Sequence, residues 1–102
     1  MIRGTTPKLT FEAPFEISTC KQIWITFAQN DKEVFTIEKK DCTFNGNEVS
    51  VKLTQQQTLM LTGATYVQMQ IRVSFDGADG DEVLASDIIT AAVQVILKDG
   101  EI

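Results

Sequence analysis

The sequence predicts an all-β fold built from antiparallel sheets, and two observations carry that prediction. The first is the alternation of apolar and polar residues with a period of two, which is clearest over residues 66–75. The second is the spacing of Gly, Asn and Asp turn residues, which divides the chain into about seven short extended segments. The segments have one apolar and one polar face, as is typical of antiparallel sheets with one face in water.

The first strands surround a predicted hairpin. Leu9–Phe11 forms a short strand that Pro14 ends, and Ile23–Phe27 follows with its apolar residues at odd positions. Asn30–Lys32 interrupts this second strand and favours a tight turn. Glu33–Glu38 then resumes the alternation with Phe35 and Ile37 again at odd positions. The two segments are therefore expected to pair as a hairpin with one buried face.

A turn and a helical segment separate this hairpin from the longest strand. Asn45–Asn47 is a predicted turn, because Asn and Gly tolerate a positive φ at low cost, and the apolar residues of 49–53 alternate after it. Thr54–Gln57 has the form of a capping box and predicts a short helical turn near residues 54–61. Leu53, Gln57 and Leu59–Leu61 are expected to cover one end of the sandwich.

The longest strand and the last one complete the predicted core. Residues 66–75 place their odd positions inward, whereas Tyr66, Gln68, Gln70, Arg72 and Ser74 face outward. Residues 82–85 form a short strand, and the last strand is expected to line the core with Ile89, Ala91, Val93, Val95 and Leu97. The predicted core consists of Ile23, Ile25, Phe27, Phe35, Ile37, Val51, Val67, Met69, Ile71, Val73, Val93 and Val95.

These elements together predict one domain over residues 1–102, a single antiparallel β-sandwich of about seven strands that is immunoglobulin-like. A chain of 102 residues has room for one core. Neither a secretory signal in the first fifteen residues nor an apolar run long enough to span a bilayer is found, so a membrane partner is not expected. Synthesis in a cytoplasm is the expectation.

Composition argues against nucleic-acid binding and against catalysis. The net charge is −5 and the 9 basic residues are scattered, whereas a nucleic-acid face needs clustered Lys and Arg. Histidine is absent, which removes the usual triads, the commonest zinc ligand and the usual proton shuttle. The acidic residues fall in turns and on polar strand faces. We therefore expect no enzyme activity, no catalytic, cofactor-binding or metal-binding residue, and no cofactor.

The acidic loop Asp76–Glu82 is the only candidate cation site. It offers four Asp or Glu carboxylates, and glycines in an oxygen-rich loop suit calcium. Its spacing differs from that of an EF-hand loop, however, and no Glu stands at the final position of such a loop. A solvated hairpin tip explains the same residues, and this interpretation is favoured over a calcium site.

The cysteines follow from the hairpin register. If Phe27 lies opposite Phe35 and Ile25 opposite Ile37, then the same register continued outward places Cys20 opposite Cys42. Directly opposed residues are close enough for a disulfide, which would close a loop of about twenty residues, worth about 3 kcal/mol in the chain-entropy model. Two buried thiols that never bond are the alternative, and a β-bulge would break the pairing.

The outward aromatic residues are the candidates for recognition. Trp24 lies on the face opposite Ile23 and Ile25, where it is either a binding anchor or a cover for a neighbouring strand. Tyr66 is the other exposed aromatic that a carbohydrate platform would need. One Trp and one Tyr make a small platform.

Five segments of the chain resemble a small family of bacteriophage and prophage proteins from Gram-positive gut bacteria. They span nearly the whole length and contain no catalytic motif. The matching segments are Met1–Pro7, Thr10–Phe11 with Pro14–Phe15, Val51–Gln55, Val67–Val73 and Ala85–Ile89.

This resemblance implies a non-enzymatic virion structural or assembly protein of the tail or baseplate region. Its partners would be other phage structural proteins and further copies of itself, and after synthesis it would reside in the virion. The alternative is a carbohydrate or cell-surface recognition module of a phage baseplate. The first function predicts large buried contacts, whereas the second predicts an exposed aromatic platform.

Overall fold

A computed structural model describes all of residues 1–102 and shows a mostly β chain with two antiparallel sheets. It confirms the predicted all-β character and the short helix within residues 54–61. Eight strands are present, and the one that the sequence did not predict is the three-residue β4. The strands are β1 (Lys8–Glu12), β2 (Gln22–Gln29), β3 (Lys32–Glu38), β4 (Thr43–Asn45), β5 (Glu48–Lys52), β6 (Thr65–Phe75), β7 (Glu82–Ala85) and β8 (Ile89–Val93).

The strands divide into a smaller and a larger sheet. The smaller sheet has the order β1-β5-β4, and the larger has the order β3-β2-β6 with both β7 and β8 paired to the far side of β6. A 3-10 turn, Lys39–Asp41, follows β3, and the five-residue helix α1, Gln55–Leu59, connects β5 to β6. No helix of the chain has the length and hydropathy needed to cross a bilayer.

The β2–β3 hairpin confirms the predicted register. Phe27 lies opposite Phe35 and Ile25 opposite Ile37, and the two Phe rings stack with their centroids 4.6 Å apart. Asn30 and Asp31 form the two-residue turn with φ of 54° and 62°, the backbone that suits the right-handed twist of a hairpin. A bulge at the Phe27–Ala28 step adds one residue to β3 on the side near the turn.

The outer edge of the larger sheet contains a second bulge, formed by residues 86–88. Arg72 pairs with Ala85 and Met69 with Ile89, so two residues of β6 lie opposite three residues between β7 and β8. Ser86 closes the gap, because its backbone N–H donates to the Ile71 oxygen at 2.8 Å and its Oγ accepts the Ile71 N–H at 3.0 Å. β7 and β8 thus form one continuous edge beside β6, and their pairing registers with β6 differ by one residue.

The core lies between the two sheets and includes residues from both. Fourteen buried apolar residues form one cluster, and burial of each large side chain contributes about 1.5–3 kcal/mol. Eleven of the twelve predicted core residues are in this cluster, or lie half-buried against it as Phe35 and Ile71 do. The cluster is Ile17, Cys20, Ile23, Ile25, Phe27, Ile37, Val49, Val51, Leu53, Leu61, Val67, Met69, Val73 and Val93.

Nine of the eleven correctly predicted core residues belong to the buried cluster, and Phe35 and Ile71 pack against it. Val95 is the exception, because its side chain is 61% exposed, and the prediction that it lies in the core is wrong. The predicted inner positions Ile89 and Leu97 are exposed as well. For Val95 and Leu97 the cause is that β8 ends at Val93, which pairs with Thr65, the first residue of β6, so no β6 backbone remains for the residues that follow.

Beyond β8 the chain pairs with residues 1–3 instead. The Gln94 N–H donates to the Met1 oxygen at 2.7 Å, and the Arg3 N–H donates to the Gln94 oxygen at 3.1 Å, in a parallel bridge between Ile2 and Gln94. Residues 95–98 then leave the sheet and run over its end. We call them the 95–98 loop.

Helix α1 has the predicted capping box. The Gln57 N–H donates to Thr54 Oγ1 at 3.1 Å, and the Thr54 N–H donates to Gln57 Oε1 at 2.9 Å. After the helix, Arg3 donates to the Leu59 and Leu61 oxygens at 2.9 and 2.6 Å. Leu61 is buried as predicted, whereas Met60 is 52% exposed and does not cover the core.

The molecule is elongated. Its extents are 52 × 25 × 18 Å, and its radius of gyration of 14.6 Å exceeds the roughly 13 Å typical of a domain of about 100 residues. The solvent-accessible surface is 6639 Å². A folded monomer of 11.3 kDa exposes about 5,700 Å² by the usual scaling of surface with mass. The chain therefore leaves more surface in water than its size requires.

Candidate functional site

The outer face of the larger sheet carries Trp24, as the alternation predicted. The indole is 43% exposed, and Arg72 lies directly opposite it on β6. The Arg72 guanidinium carbon is 5.0 Å from the ring centroid, a cation–π contact worth about 0.5–1 kcal/mol at an exposed site. One face of the only Trp is therefore already covered by a side chain of the same molecule.

A shallow groove of about 410 Å³ surrounds Trp24 and Arg72. Its hydroxyls bond one another: the Thr26 and Thr36 oxygens are 3.2 Å apart, and Thr36 donates to a Glu33 carboxylate oxygen. Tyr66 does not contribute to this groove. It is six residues from Arg72 along β6, which is about 20 Å, so the structure does not bring the two predicted aromatic residues together.

The acidic loop 76–81 is held by Lys21. The Lys21 Nζ lies 3.0 Å from an Asp81 carboxylate oxygen and 3.6 Å from an Asp76 oxygen. The hydrogen bond and charge of Asp81, with a smaller effect of Asp76, raise the pKa of Lys21 above its ordinary value. No group of three or more metal-ligating side chains lies together in the chain.

The two cysteines lie where the hairpin ladder ends, and both are free thiols. The ladder stops at the pair Trp24–Glu38, since β2 begins at Gln22 and the 3-10 turn Lys39–Asp41 follows β3 directly. The prediction that Cys20 and Cys42 continue this register as opposed strand residues is therefore wrong. The turn takes the chain out of the extended conformation before Cys42 is reached.

The surroundings of both thiols favour their protonated form. Burial is the largest cause for each, and it raises the pKa of Cys20 above its ordinary value. Burial, with smaller effects of Asp41 and Cys20, raises the pKa of Cys42 to about 11. Because the thiolate is the reactive species, neither cysteine is activated as a nucleophile near neutral pH.

An apolar cavity of about 270 Å³ lies at the margin between the two sheets. It lies between the segment that follows β1 and the edge formed by β6 and β7. Glu12 and Asp87 stand at its rim, and we call the cavity the apolar slot. Its apolar lining is Ala13, Phe15, Ile17, Ile71, Val73 and Leu84.

The slot opens beside an unpaired backbone edge. In an antiparallel ladder alternate residues bond the neighbouring strand. Since the Ser86 N–H bonds to β6, Val83 and Ala85 direct their backbone groups away from β6. No further strand pairs with β7. We call residues 83–89 the β7–β8 edge, and its large apolar side chains Val83, Ile88 and Ile89 are exposed.

Sequence reasoning identified Trp24 and the acidic loop but not the slot. Five of the eleven residues that line the slot come from residues 12–17, and among them Phe15 and Ile17 lie in no strand and have no periodic pattern. Ser86 and Asp87 lie between two predicted strands. A polar pair at such a position could have indicated the bulge from the sequence. Comparison of the chain with protein-family models, with curated proteins and with solved structures finds no match.

Proposed function

We propose that this chain is a non-enzymatic structural or assembly protein of a phage or prophage particle, in the virion or its tail region. It acts through contacts with other phage structural proteins and with copies of itself, after synthesis in the bacterial cytoplasm. The phage assignment rests on the resemblance of five sequence segments. The proposed immunoglobulin-like relationship of the fold rests on the strand count and on the two antiparallel sheets.

The observation that carries the proposal is the uneven distribution of exposed apolar side chains. Ten large apolar residues are exposed, and six of them belong to the last twenty residues of the chain. They form two separate groups, three on the β7–β8 edge and three in the segment after β8, and groups of exposed apolar residues are typical of protein interaction sites. The six are Val83, Ile88, Ile89, Val95, Leu97 and Ile102.

The backbone of the same region supports the proposal. The β7–β8 edge presents unpaired N–H and C=O groups, which are able to bond an added strand from a partner. The bulge at residues 86–88 and the Asp87 carboxylate oppose unspecific edge-to-edge pairing. A partner that matches both the bulge and the charge is therefore preferred over a random strand.

Recognition of carbohydrate is the second candidate function, and Trp24 in its polar groove is the observation that favours it. Sugar rings stack on an open aromatic face, but Arg72 occupies one face of this indole. The groove's threonine hydroxyls also bond within the protein. The assembly function is favoured for these reasons, and binding of a glycan that Trp24→Ala abolishes would reverse this preference.

Co-purification tests the proposed function. The chain is co-expressed with the products of the genes adjacent to its own, and we expect at least one structural protein to bind it. The double variant Val83→Asp/Ile88→Asp is expected to lose that partner, because two charges would enter an apolar contact. Met60→Asp is the matched control, since Met60 is exposed to a similar extent directly after α1.

The outcomes separate clearly. Loss of the partner in the double variant and its retention in Met60→Asp would support the proposal. A chain that binds no neighbouring structural protein and stays monomeric at the highest attainable concentration would overturn it.

A further inference from the structure

The apolar slot has the size and lining of a receptor for one or two aliphatic side chains. A dry cavity of about 150 Å³ admits benzene, so about 270 Å³ is ample for a leucine with part of a neighbouring residue. Ile71 and Leu84 remain half-buried at the slot although they face the inner side of the sheet. A side chain that filled the slot would complete their burial.

The same chain presents an apolar side chain without a partner. Leu97 is fully exposed at the crest of the 95–98 loop. The loop is anchored on both sides, by the pairing of Gln94 with residues 1–3 and by an Arg3–Asp99 ion pair of 3.3 Å. An anchored loop loses little conformational freedom when its crest enters a cavity, which favours binding.

The charges of the two surfaces are complementary. Glu12 and Asp87 stand at the rim of the slot, and the residue after Leu97 is Lys98. A leucine inserted into the slot would bring this lysine to the acidic rim. Complementary charges of this kind favour the correct orientation and disfavour wrong partners.

The slot and the loop lie too far apart to meet in one molecule. Leu84 of the slot pairs with Val73, whereas Val93, which precedes the loop, pairs with Thr65. These positions are eight residues apart along β6, or about 27 Å, and the loop continues away from the slot. The loop of one copy is therefore available only to the slot of another.

We propose that copies of this chain associate head to tail, with Leu97 of one copy in the apolar slot of the next and Lys98 against Glu12 and Asp87. This inference rests on the proposed assembly function and names one of its partners, a second copy. Because the two surfaces differ, the contact is heterologous and produces rings or open chains rather than a closed two-fold dimer.

Two complementary variants of the full chain test the inference. Leu97→Asp removes the inserted side chain at a fully exposed position, and Ala13→Phe fills the slot from within. Each variant alone is expected to be monomeric by analytical ultracentrifugation, with Kd raised at least about tenfold. Met60→Asp serves as the control and is expected to associate as the wild type does.

The mixture of the two variants is the decisive sample. The Ala13→Phe chain retains its loop and the Leu97→Asp chain retains its slot, so one contact remains and a dimer is expected, but nothing larger. A charge exchange provides a second test that leaves the slot's apolar lining unchanged. Asp87→Lys and Lys98→Glu are each expected to weaken association, and the double variant is expected to restore part of it, because Glu12 stays acidic.

The results distinguish this inference from the proposed function. A wild type that is monomeric at every concentration, or a mixture that forms no dimer, overturns head-to-tail association. If such a chain still binds a neighbouring structural protein, the assembly function stands without it. Dimers in the mixture together with rescue by the charge exchange support the inference.

Discussion

At the scale of single residues, Ser86 has the most local influence on the β7–β8 edge. Its hydroxyl accepts the N–H of Ile71 at the point where the bulge leaves β6 without a backbone acceptor. The same hydroxyl donates to the Asp87 oxygen at 2.9 Å. The Ser86 side chain thus supplies the hydrogen bond that the backbone ladder lacks at the bulge, and it stabilises the one-residue shift between β7 and β8.

Replacement of Ser86 by alanine is expected to destabilise the protein by about 1–3 kcal/mol, because the part-buried N–H of Ile71 would lose its acceptor. The free energy of unfolding in urea measures this loss. Ser74→Ala is the matched control, since Ser74 lies in the same sheet and its hydroxyl makes no hydrogen bond within the protein. Equal stability of the two variants would contradict the role assigned to Ser86.

Burial could be predicted from the sequence where it depends on strand periodicity. Ile25, Phe27 and Val67 alternate with polar residues, and they are buried as expected. Ile17 and Cys20 are also buried, but they lie in a segment without regular structure. Their burial depends on the path of the chain between the two sheets, which leaves no periodic pattern in the sequence.

At the scale of elements, α1 shows how local chemistry determines a boundary. Thr54 and Gln57 satisfy each other's backbone N–H groups, so the helix begins directly after Thr54. The sequence predicted this start because a capping box depends on residues three positions apart. Strand β4 could not be predicted in the same way, since three residues are too few to establish an alternation.

Thr54→Ala is expected to lower the free energy of unfolding by about 1 kcal/mol, because the N–H of Gln57 loses its cap. Gln56→Ala is the matched control on the same helix, where an exposed glutamine makes no hydrogen bond within the protein. Alanine is a good helix former, so the control is expected to be neutral or slightly stabilising. Thermal or urea unfolding of both variants measures the difference, and an unchanged Thr54→Ala variant would contradict the capping role.

The hairpin and the outer edge show where element prediction fails. The alternation of inward and outward side chains correctly predicted the pairing of Phe27 with Phe35. The predicted register failed beyond Glu38, because the Lys39–Asp41 turn is not extended and has no such alternation. The bulge at residues 86–88 shifts the inward phase from even positions in β7 to odd positions in β8. A change of phase inside a presumed loop is not visible before the pairing partner is known.

At the scale of the whole molecule, the surfaces that we propose for assembly are formed by segments that are distant in sequence. The slot brings residues 12–17 against residues 71–87, and the 95–98 loop lies beyond the opposite end of β6. Sequence patterns predicted the sheets but not how far one sheet covers the other. The incomplete cover is what leaves the slot and the β7–β8 edge open.

The central claim is that the protein binds its partners through the β7–β8 edge and the 95–98 loop. Hydrogen–deuterium exchange of the chain alone and in its assembly is the most direct test of this claim. The account predicts that assembly slows amide exchange over residues 83–89 and 95–98, where backbone and apolar groups are now exposed. The outer face around Trp24 and Arg72 is expected to keep its exchange rates. Protection confined to that outer face, with the β7–β8 edge unchanged, would contradict the account.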